Sequence, residues 1–277
     1  MPERTDPLET AGLRYRVDGP VATVTLARPE RRNAQDPAMW DALRAVGDSL
    51  GDDVRVVVVR GEGRWFSAGI DRSLLAAGDG GRPPGLLELA SMDDTALDGR
   101  IAEYQEAFSW LRRPRLVSIA AVQGHAVGAG FQLALACDLR VLSDDASLAM
   151  RETSLGLVPD LGGTGPLVAA VGYSRALEIC VTGRWIGAVE AGELGLATIV
   201  VPLGELDAAV ADLASAVTVA PVEAVTATKA LLLGAATTAH AEQLRSERIA
   251  QSVRIRDLAA TLRGNHSGAG GVAPTDE

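Results

Sequence analysis

The sequence predicts an α/β protein, and three observations predict it. Two apolar runs rich in β-branched residues, VRVVVV (54–59) and LVSIAAV (116–122), broken only by Arg55 and Ser118, have the composition of strands covered on both faces. Helical segments alternate with them, the rhythm of layered α/β architecture. From Asp160 onward the chain turns mostly helical and alanine-rich, broken by one strand-like stretch, ATIVVP (197–202).

The elements follow in order. LRYRV (13–17) and VATVTL (21–26) read as two strands joined at Asp18-Gly19, a strong hairpin signal. After the loop RPERRNAQDP, Asp36 is placed to cap a helix with Pro37 at its first position, running to about Leu50. The run 54–59 is the next strand, followed by the loop GEGRWFSAGID. Residues 74–97, rich in Gly, Pro and Asp, read as an irregular, mobile surface segment. A helix is expected over about 98–111, then the buried strand 116–122. GHAVGAGFQLALACD (124–138) leads a glycine-rich loop into an apolar helix, and LRVLS and SLAM are two more short strands. The tail GNHSGAGGVAPTDE reads as disordered.

Composition limits the function. Apolar residues make up 47% of the 277, enough for a large core, and the net charge is −10. So acidic a chain argues against a nucleic-acid partner, which needs a basic surface. The charged start MPERTDPLET carries no apolar signal-peptide core, and no apolar run reaches the roughly 18 residues of a membrane helix, so a soluble, cytoplasmic protein with no membrane partner is expected. Cys137 and Cys180 read as buried free thiols, and three scattered histidines make no zinc cluster, so no metal is expected.

Two loops share one construction. SAGID (67–71) and GHAVGAGFQ (124–132) each follow a buried strand, contain small residues and lead toward a helix. Small residues let backbone N–H groups approach a ligand, and helix N-termini aim free N–H groups outward. Two such donors aimed at one point make an oxyanion hole. Taken singly, each loop is equally an ordinary tight turn. Neither has the spacing of a dinucleotide-binding or phosphate loop, which disfavours nicotinamide and ATP chemistry. In ETSLGLVPDLGG, Glu152 and Asp160 flank a turn-rich apolar segment. An acid against apolar walls has a raised pKa and can work as acid or base near neutrality. The bland alternatives are a surface carboxylate at Glu152 and a turn cap at Asp160.

Taken together, RPERRNA (28–34), WFSAGID (65–71), AAVQGHAVGAGFQLALACDLRV (120–141), ETSLGLVPDLGGT (152–164) and ALEICVTGRWIGAVEAGELGLATIVVP (176–202) resemble the crotonase superfamily, the enoyl-CoA hydratase/isomerase family, over residues 12–262. The resemblance implies a crotonase-like spiral of ββα units with a helical C-terminal trimerisation region. With the composition of the two ends, the expected layout is a flexible N-terminus (1–11), a core with the active site (12–200), a helical region (201–263) and a disordered tail (264–277). The resemblance also implies a coenzyme A thioester as substrate, no cofactor, and a homotrimer or a hexamer built as a dimer of trimers. Carried over by position, Ile70 and Ala129 stand where the oxyanion N–H donors stand. Arg31, Arg32, Ala34, Ala68 and Ile70 stand at the CoA-binding positions, although the arginines could equally be solvated surface charges.

The departure from the family pattern is chemical. Hydratases of the family carry two glutamates twenty residues apart; here the positions hold Gln132 and Glu152. An amide can orient water but cannot ionise. Moving a double bond from C3 to C2 needs only one base, so 3-enoyl-CoA to 2-enoyl-CoA isomerisation in acyl-CoA metabolism is the favoured expectation, with Glu152 as the acid/base. Asp160 lies where family dienoyl-CoA isomerases place a second acid and is a candidate assistant. Hydration of 2-enoyl-CoA, with Gln132 or Asp160 positioning water, and a noncatalytic acyl-CoA binder are the alternatives.

Overall fold

The computed structural model of the chain describes residues 7–75 and 85–268. They form two compact units, Met1–Val219 and Ala220–Glu277.

The first unit opens with the single turn α1 (Pro7–Thr10) and the hairpin β1 (Leu13–Asp18) and β2 (Val21–Leu26), paired antiparallel with Asp18 opposite Val21. α2 (Pro37–Ser49) starts at Pro37, and the Asp36 side chain accepts from Met39 N, the cap expected from the sequence. β3 (Val56–Gly61) sits two residues later than the apolar run suggests. Val54 and Arg55 are held outside the strand, with Arg55 N bonded to Pro20 O, and the ladder begins at Val21 opposite Val56.

After β3 the segment 74–97 proves partly regular. α3 (Leu86–Ala90) and the first turn of α4 (Asp94–Ser109) lie inside it, and the Asp93 side chain caps α4 by accepting from Ala96 N. Residues 76–84 of that segment lie outside the described residues. Next come β4 (Val117–Val122), β5 (His125–Val127), α5 (Ala129–Ala136), β6 (Leu139–Ser143) and β7 (Ser147–Ala149). α6 (Thr164–Val171), α7 (Tyr173–Thr182), β8 (Ile186–Gly187), α8 (Ala188–Glu193), β9 (Ile199–Val201) and α9 (Leu206–Val219) complete the unit.

Among the described residues the strands form two sheets, ordered β1-β2-β3-β4-β6-β9 and β5-β7-β8. Beyond the first hairpin every pairing in the larger sheet is parallel. The chain repeatedly runs a strand through the large sheet, a strand through the small one, and then a helix: β4–β5–α5 is one such turn, and β6–β7 followed by α6 another. This is the ββα spiral.

Alternation along the central strands explains why their sequences carry apolar residues on both faces. Val57, Val59, Ala120 and Val122 face the main core, whereas Val56, Val58, Ile119 and Ala121 face the other way and are covered by Leu206, Val210 and Ala214 of α9. α9 therefore belongs to the first unit, which runs past the boundary at 200 suggested by the sequence. The second unit comprises α10 (Val222–Ala235) and α11 (His240–Gly268), joined by a hydrogen bond from Gln243 Nε2 to Leu231 O (3.1 Å). α11 extends into the segment read as a disordered tail; residues 269–277 lie outside the described residues. No single helix among the described residues is long and apolar enough to cross a membrane.

Candidate active site

The two small-residue loops meet, and neighbouring chains dictate how. Residues 67–71 run parallel to 33–35 on one side and to 125–127 on the other, through bridges Gln35–Ile70 and Ser67–Ala126. Toward 33–35, Gln35 N bonds to Gly69 O (2.7 Å) and Asp71 N to Gln35 O (2.7 Å). In a parallel bridge these bonds are made by the residues flanking Ile70, so the Ile70 N–H points to the opposite side, toward 127–129. Gly69 adopts φ +84°, and a Cβ there would stand 2.5 Å from Val127 O and 3.5 Å from Ala129 N. The Ile70 N–H is thus presented by a strand-like bridge. SAGID leads into a single 3-10 turn, Arg72–Leu75, not the α-helix expected, so no helix dipole stands behind Ile70.

The second loop does end at an α-helix. Gly128 takes φ +50°, ψ −119°, and no side chain caps α5, which leaves the N–H of Ala129, its first residue, without an intrahelical acceptor. Gly128 also makes room for an acid: a Cβ on it would stand 3.2 Å from Glu152 Oε1. Gly130 packs on Ser67, where a Cβ would meet Ser67 Cβ at 2.7 Å. Ser67 in turn donates to Asn33 O (2.8 Å), and Gln35 donates to Ser67 Oγ (3.1 Å), which ties it to the 33–35 segment, while Ser67 N–H to His125 O (2.9 Å) and Val127 N–H to Ser67 O (3.0 Å) join the two loops.

Glu152 begins the 3-10 turn Glu152–Leu155 and is 9% exposed. Its Oε1 accepts from Gln132 Nε2 at 2.7 Å, while Oε2 is buried with no hydrogen-bond partner. Burial pushes its pKa up, its own backbone and the Gln132 amide pull against that, and the Asp160 charge adds to the rise. Gln132, 1% exposed on α5, accepts through Oε1 from Leu161 N (2.9 Å) and Gly163 N (3.3 Å). Asp160 is half-buried, and burial raises its pKa too. It does not cap the following helix: α6 has Gly163 at its N-cap and no side-chain cap. Gln105 of α4 instead holds the Asp160 backbone carbonyl (2.7 Å). The structure therefore brings Glu152, Gln132 and Asp160 together next to the Ala129 end of α5.

The arginine segment is more structured than a solvated patch. Asp71, nearly buried, pairs with Arg28 (3.1 Å) and Arg31 (3.0 Å), and Arg28 also reaches Asp36 (2.8 Å). Burial would raise the Asp71 pKa, but two Ser73 hydrogen bonds and the charges of Arg31 and Arg28 outweigh it and hold the carboxyl below its usual range. Arg31 is thus half-neutralised. Arg32 is exposed, in the left-handed region at φ 55°, and its carbonyl takes the Ala68 N–H (2.9 Å). Ala34 is buried beneath it. Asp71 and Asn33 escaped the sequence reading. Asn33 takes φ 53° and bonds Arg28 N, Glu62 O and Trp65 O. An Asn inside a polar turn was the available signal.

One further cluster lies on β5. His125 stacks between Trp65 (4.1 Å between ring centroids) and Trp185 (4.6 Å), with Arg64 over the first indole and Arg151 over the second. Burial lowers the His125 pKa, and the Arg64 and Arg32 charges push it down further. Cys137 is buried and Cys180 half-buried, both unbridged.

The spiral, with its paired loops and buried acid, places the molecule in the crotonase class of folds. The chain belongs to the enoyl-CoA hydratase/isomerase family, whose sequence pattern it matches over residues 16–257. It is 31% identical over 191 residues to a "probable enoyl-CoA hydratase" of Mycobacterium tuberculosis, an alignment covering 68% of each chain. It is 33% identical over 224 residues, 80% of each chain, to the peroxisomal Delta(3,5)-Delta(2,4)-dienoyl-CoA isomerase of Arabidopsis thaliana. Among solved structures, a "putative enoyl-CoA hydratase" from Thermobifida fusca YX in complex with acetoacetyl-CoA superposes with TM-score 0.87 at 52% identity, over 91% of this chain and 97% of that one.

Proposed function

We propose that the protein binds an acyl-CoA and moves a double bond from C3 to C2 of the acyl chain. The observation that carries this reading is the acid set. One carboxyl, Glu152, has a buried, unpartnered oxygen, and the neighbouring position is filled by an amide already bonded on both sides. The thioester oxygen would take the N–H groups of Ile70 and Ala129. Glu152 carboxylate removes a C2 proton, and the electron pair moves onto that oxygen as an enolate. Collapse of the enolate forms C2=C3, C3=C4 opens, and C4 takes the same proton back from Glu152. Nothing is oxidised and no water is consumed, so the reaction as written needs no metal or redox cofactor. Two backbone donors in a dry site are the main stabilisation of such an enolate, each worth about 3 kcal/mol.

Arg32, with the partly neutralised Arg31, Ala34 and Ala68, forms the proposed CoA end of the site. The binding of acetoacetyl-CoA by the Thermobifida fusca protein supports the ligand class. A second reading, hydration of 2-enoyl-CoA, is favoured by Asp160, an uncapped acid whose charge reaches Glu152. We also propose self-association as a homotrimer or a dimer of trimers. The exposed face Tyr173, Leu177 and Val181 of α7 supports it, and sedimentation velocity tests it.

The deciding experiment supplies 3-enoyl-CoA and 2-enoyl-CoA to the wild type and to Glu152→Gln. Isomerisation faster than hydration, lost in the variant, is expected. Hydration well ahead of isomerisation sinks the ranking, and acyl-CoA binding without turnover of either substrate points to a binder.

A further inference from the structure

The amide of Gln132 has only one orientation that chemistry permits. Two backbone donors, Leu161 N–H and Gly163 N–H, converge on one end of it, and a carboxylate faces the other. A flipped amide would set its NH₂ against two N–H groups and its oxygen against the Glu152 carboxylate, so Oε1 must face the turn and Nε2 must face Glu152. The turn also packs on the side-chain stem: a Cβ on Gly163 would stand 2.8 Å from Gln132 Cγ. As a result the two oxygens of Glu152 are unlike. Oε1 is bonded and Oε2 is buried and bare.

We infer that Gln132 is a positioning residue, a clamp between the 161–163 turn and Glu152 that occupies Oε1 and leaves Oε2 to carry every proton the site moves. The clamp rests on the hydrogen bonds alone; its catalytic consequence rests on the acid/base role proposed for Glu152. Gln132 neither holds water nor touches the acyl chain in this role. Its donated N–H favours the ionised carboxyl and so opposes the effect of burial. The backbone N–H groups of Glu152 and Arg151 also favour the ionised carboxyl, but no other side chain facing Glu152 does so. Asp160, from the turn before α6, pushes the Glu152 pKa up, and Cys180 of α7 is a thiol whose own pKa is raised by burial and by Glu152. The neighbouring Arg151 guanidinium lies over the Trp185 ring instead.

The test uses the full chain labelled with carboxyl-13C glutamate, with the Glu152 signal assigned by its absence in Glu152→Gln. Gln132→Met keeps the side-chain length and removes both donor and acceptor. Gln132→Glu keeps an acceptor for Leu161 N and Gly163 N, which guards against loss of the turn, and replaces the donor by a charge. The Glu152 titration midpoint is expected to rise by about one pH unit or more in both variants. Isomerisation of 3-enoyl-CoA by Gln132→Met should lose at least about tenfold in kcat with KM within about twofold, the split expected when a group acts on the transition state and not on binding. Unchanged Glu152 midpoints in two folded variants would overturn the clamp. Should the midpoints move while the wild type turns over no enoyl-CoA, the clamp stands and the proposed reaction falls.

Discussion

Gly69 and Val127 approach so closely that the loop carrying Ile70 has no space for a side chain at position 69: a Cβ there would stand 2.5 Å from the Val127 carbonyl oxygen. That oxygen belongs to backbone and cannot swing aside. The φ of +84° adds strain for any L-residue. Gly69→Ala should therefore displace the Ile70 N–H and cost about 3 kcal/mol of transition-state stabilisation, roughly 100-fold in kcat. Ile70→Ala, which leaves the backbone donor in place, should stay within a few-fold of wild type. Steady-state kinetics on both variants check this, and a Gly69→Ala enzyme as fast as Ile70→Ala would remove Ile70 N–H from the reaction.

Glu152→Gln should abolish turnover by about a thousandfold or more while saturated acyl-CoA binds within a few-fold, measured by calorimetry. The wild-type kcat/KM should climb with pH through a midpoint above the ordinary carboxylate range, because Glu152 must be ionised to accept a proton and burial resists ionisation.

The same raised pKa has a stability consequence. Between the unfolded and folded pKa values of Glu152, the unfolded chain has released the proton that the folded chain still holds. Stability from this group therefore falls as pH rises through that window. Glu152→Gln lacks this loss. Thermal melts at pH 5 and pH 8 should show a smaller decline for the variant than for the wild type, and parallel declines would contradict the assignment of the shift to Glu152.

Asp71 has the opposite sign. Its lowered pKa means it stabilises the fold above its unfolded pKa and stops doing so as pH falls through the folded value. Asp71→Asn should cost about 3 kcal/mol at pH 7, because it leaves the mostly buried Arg28 without one of its two carboxylates. Denaturant unfolding at pH 7 and near pH 3 measures it; a cost that did not shrink in acid would assign the loss to packing.

Gln132→Glu would place a second carboxyl beside Glu152, and hydration relative to isomerisation should rise about tenfold or more, read by parallel assays on 2-enoyl-CoA and 3-enoyl-CoA. A ratio that does not move would show that the acid count does not choose between the two reactions.

Much of this fold was legible because burial on two faces leaves a mark in sequence. β3 and β4 lie between the main core and α9, so apolar residues dominate both their faces, with the buried Ser118 hydrogen-bonded to Leu111 O and Asp138, and the Asp36-Pro37 start of α2 carried its own capping chemistry. β8 escaped because two residues are too short to show a period, and β5 because it lies inside the glycine-flanked stretch that reads as a loop. The composition of 74–97 hid the Asp93 cap that starts α4. In the site, the glycines and acids could be singled out one by one, but their partnerships could not. Gln132 reaches Glu152, Leu161 and Gly163 across 20, 29 and 31 residues, and Asp71 reaches Arg28 across 43. Such pairings are set by the spiral bringing successive turns into register, and no local pattern records them.

The stacking of His125 between Trp65 and Trp185 gives the molecule an optical handle. Two of its four tryptophans share one imidazole neighbour, while Trp40 and Trp110 sit in the main core. A protonated imidazole quenches indole emission, and burial, with the Arg64 and Arg32 charges, lowers the pH at which His125 is protonated. Emission lost on acidification therefore comes from Trp65 and Trp185 beside β5, and fluorescence can follow their contact with His125 without a label.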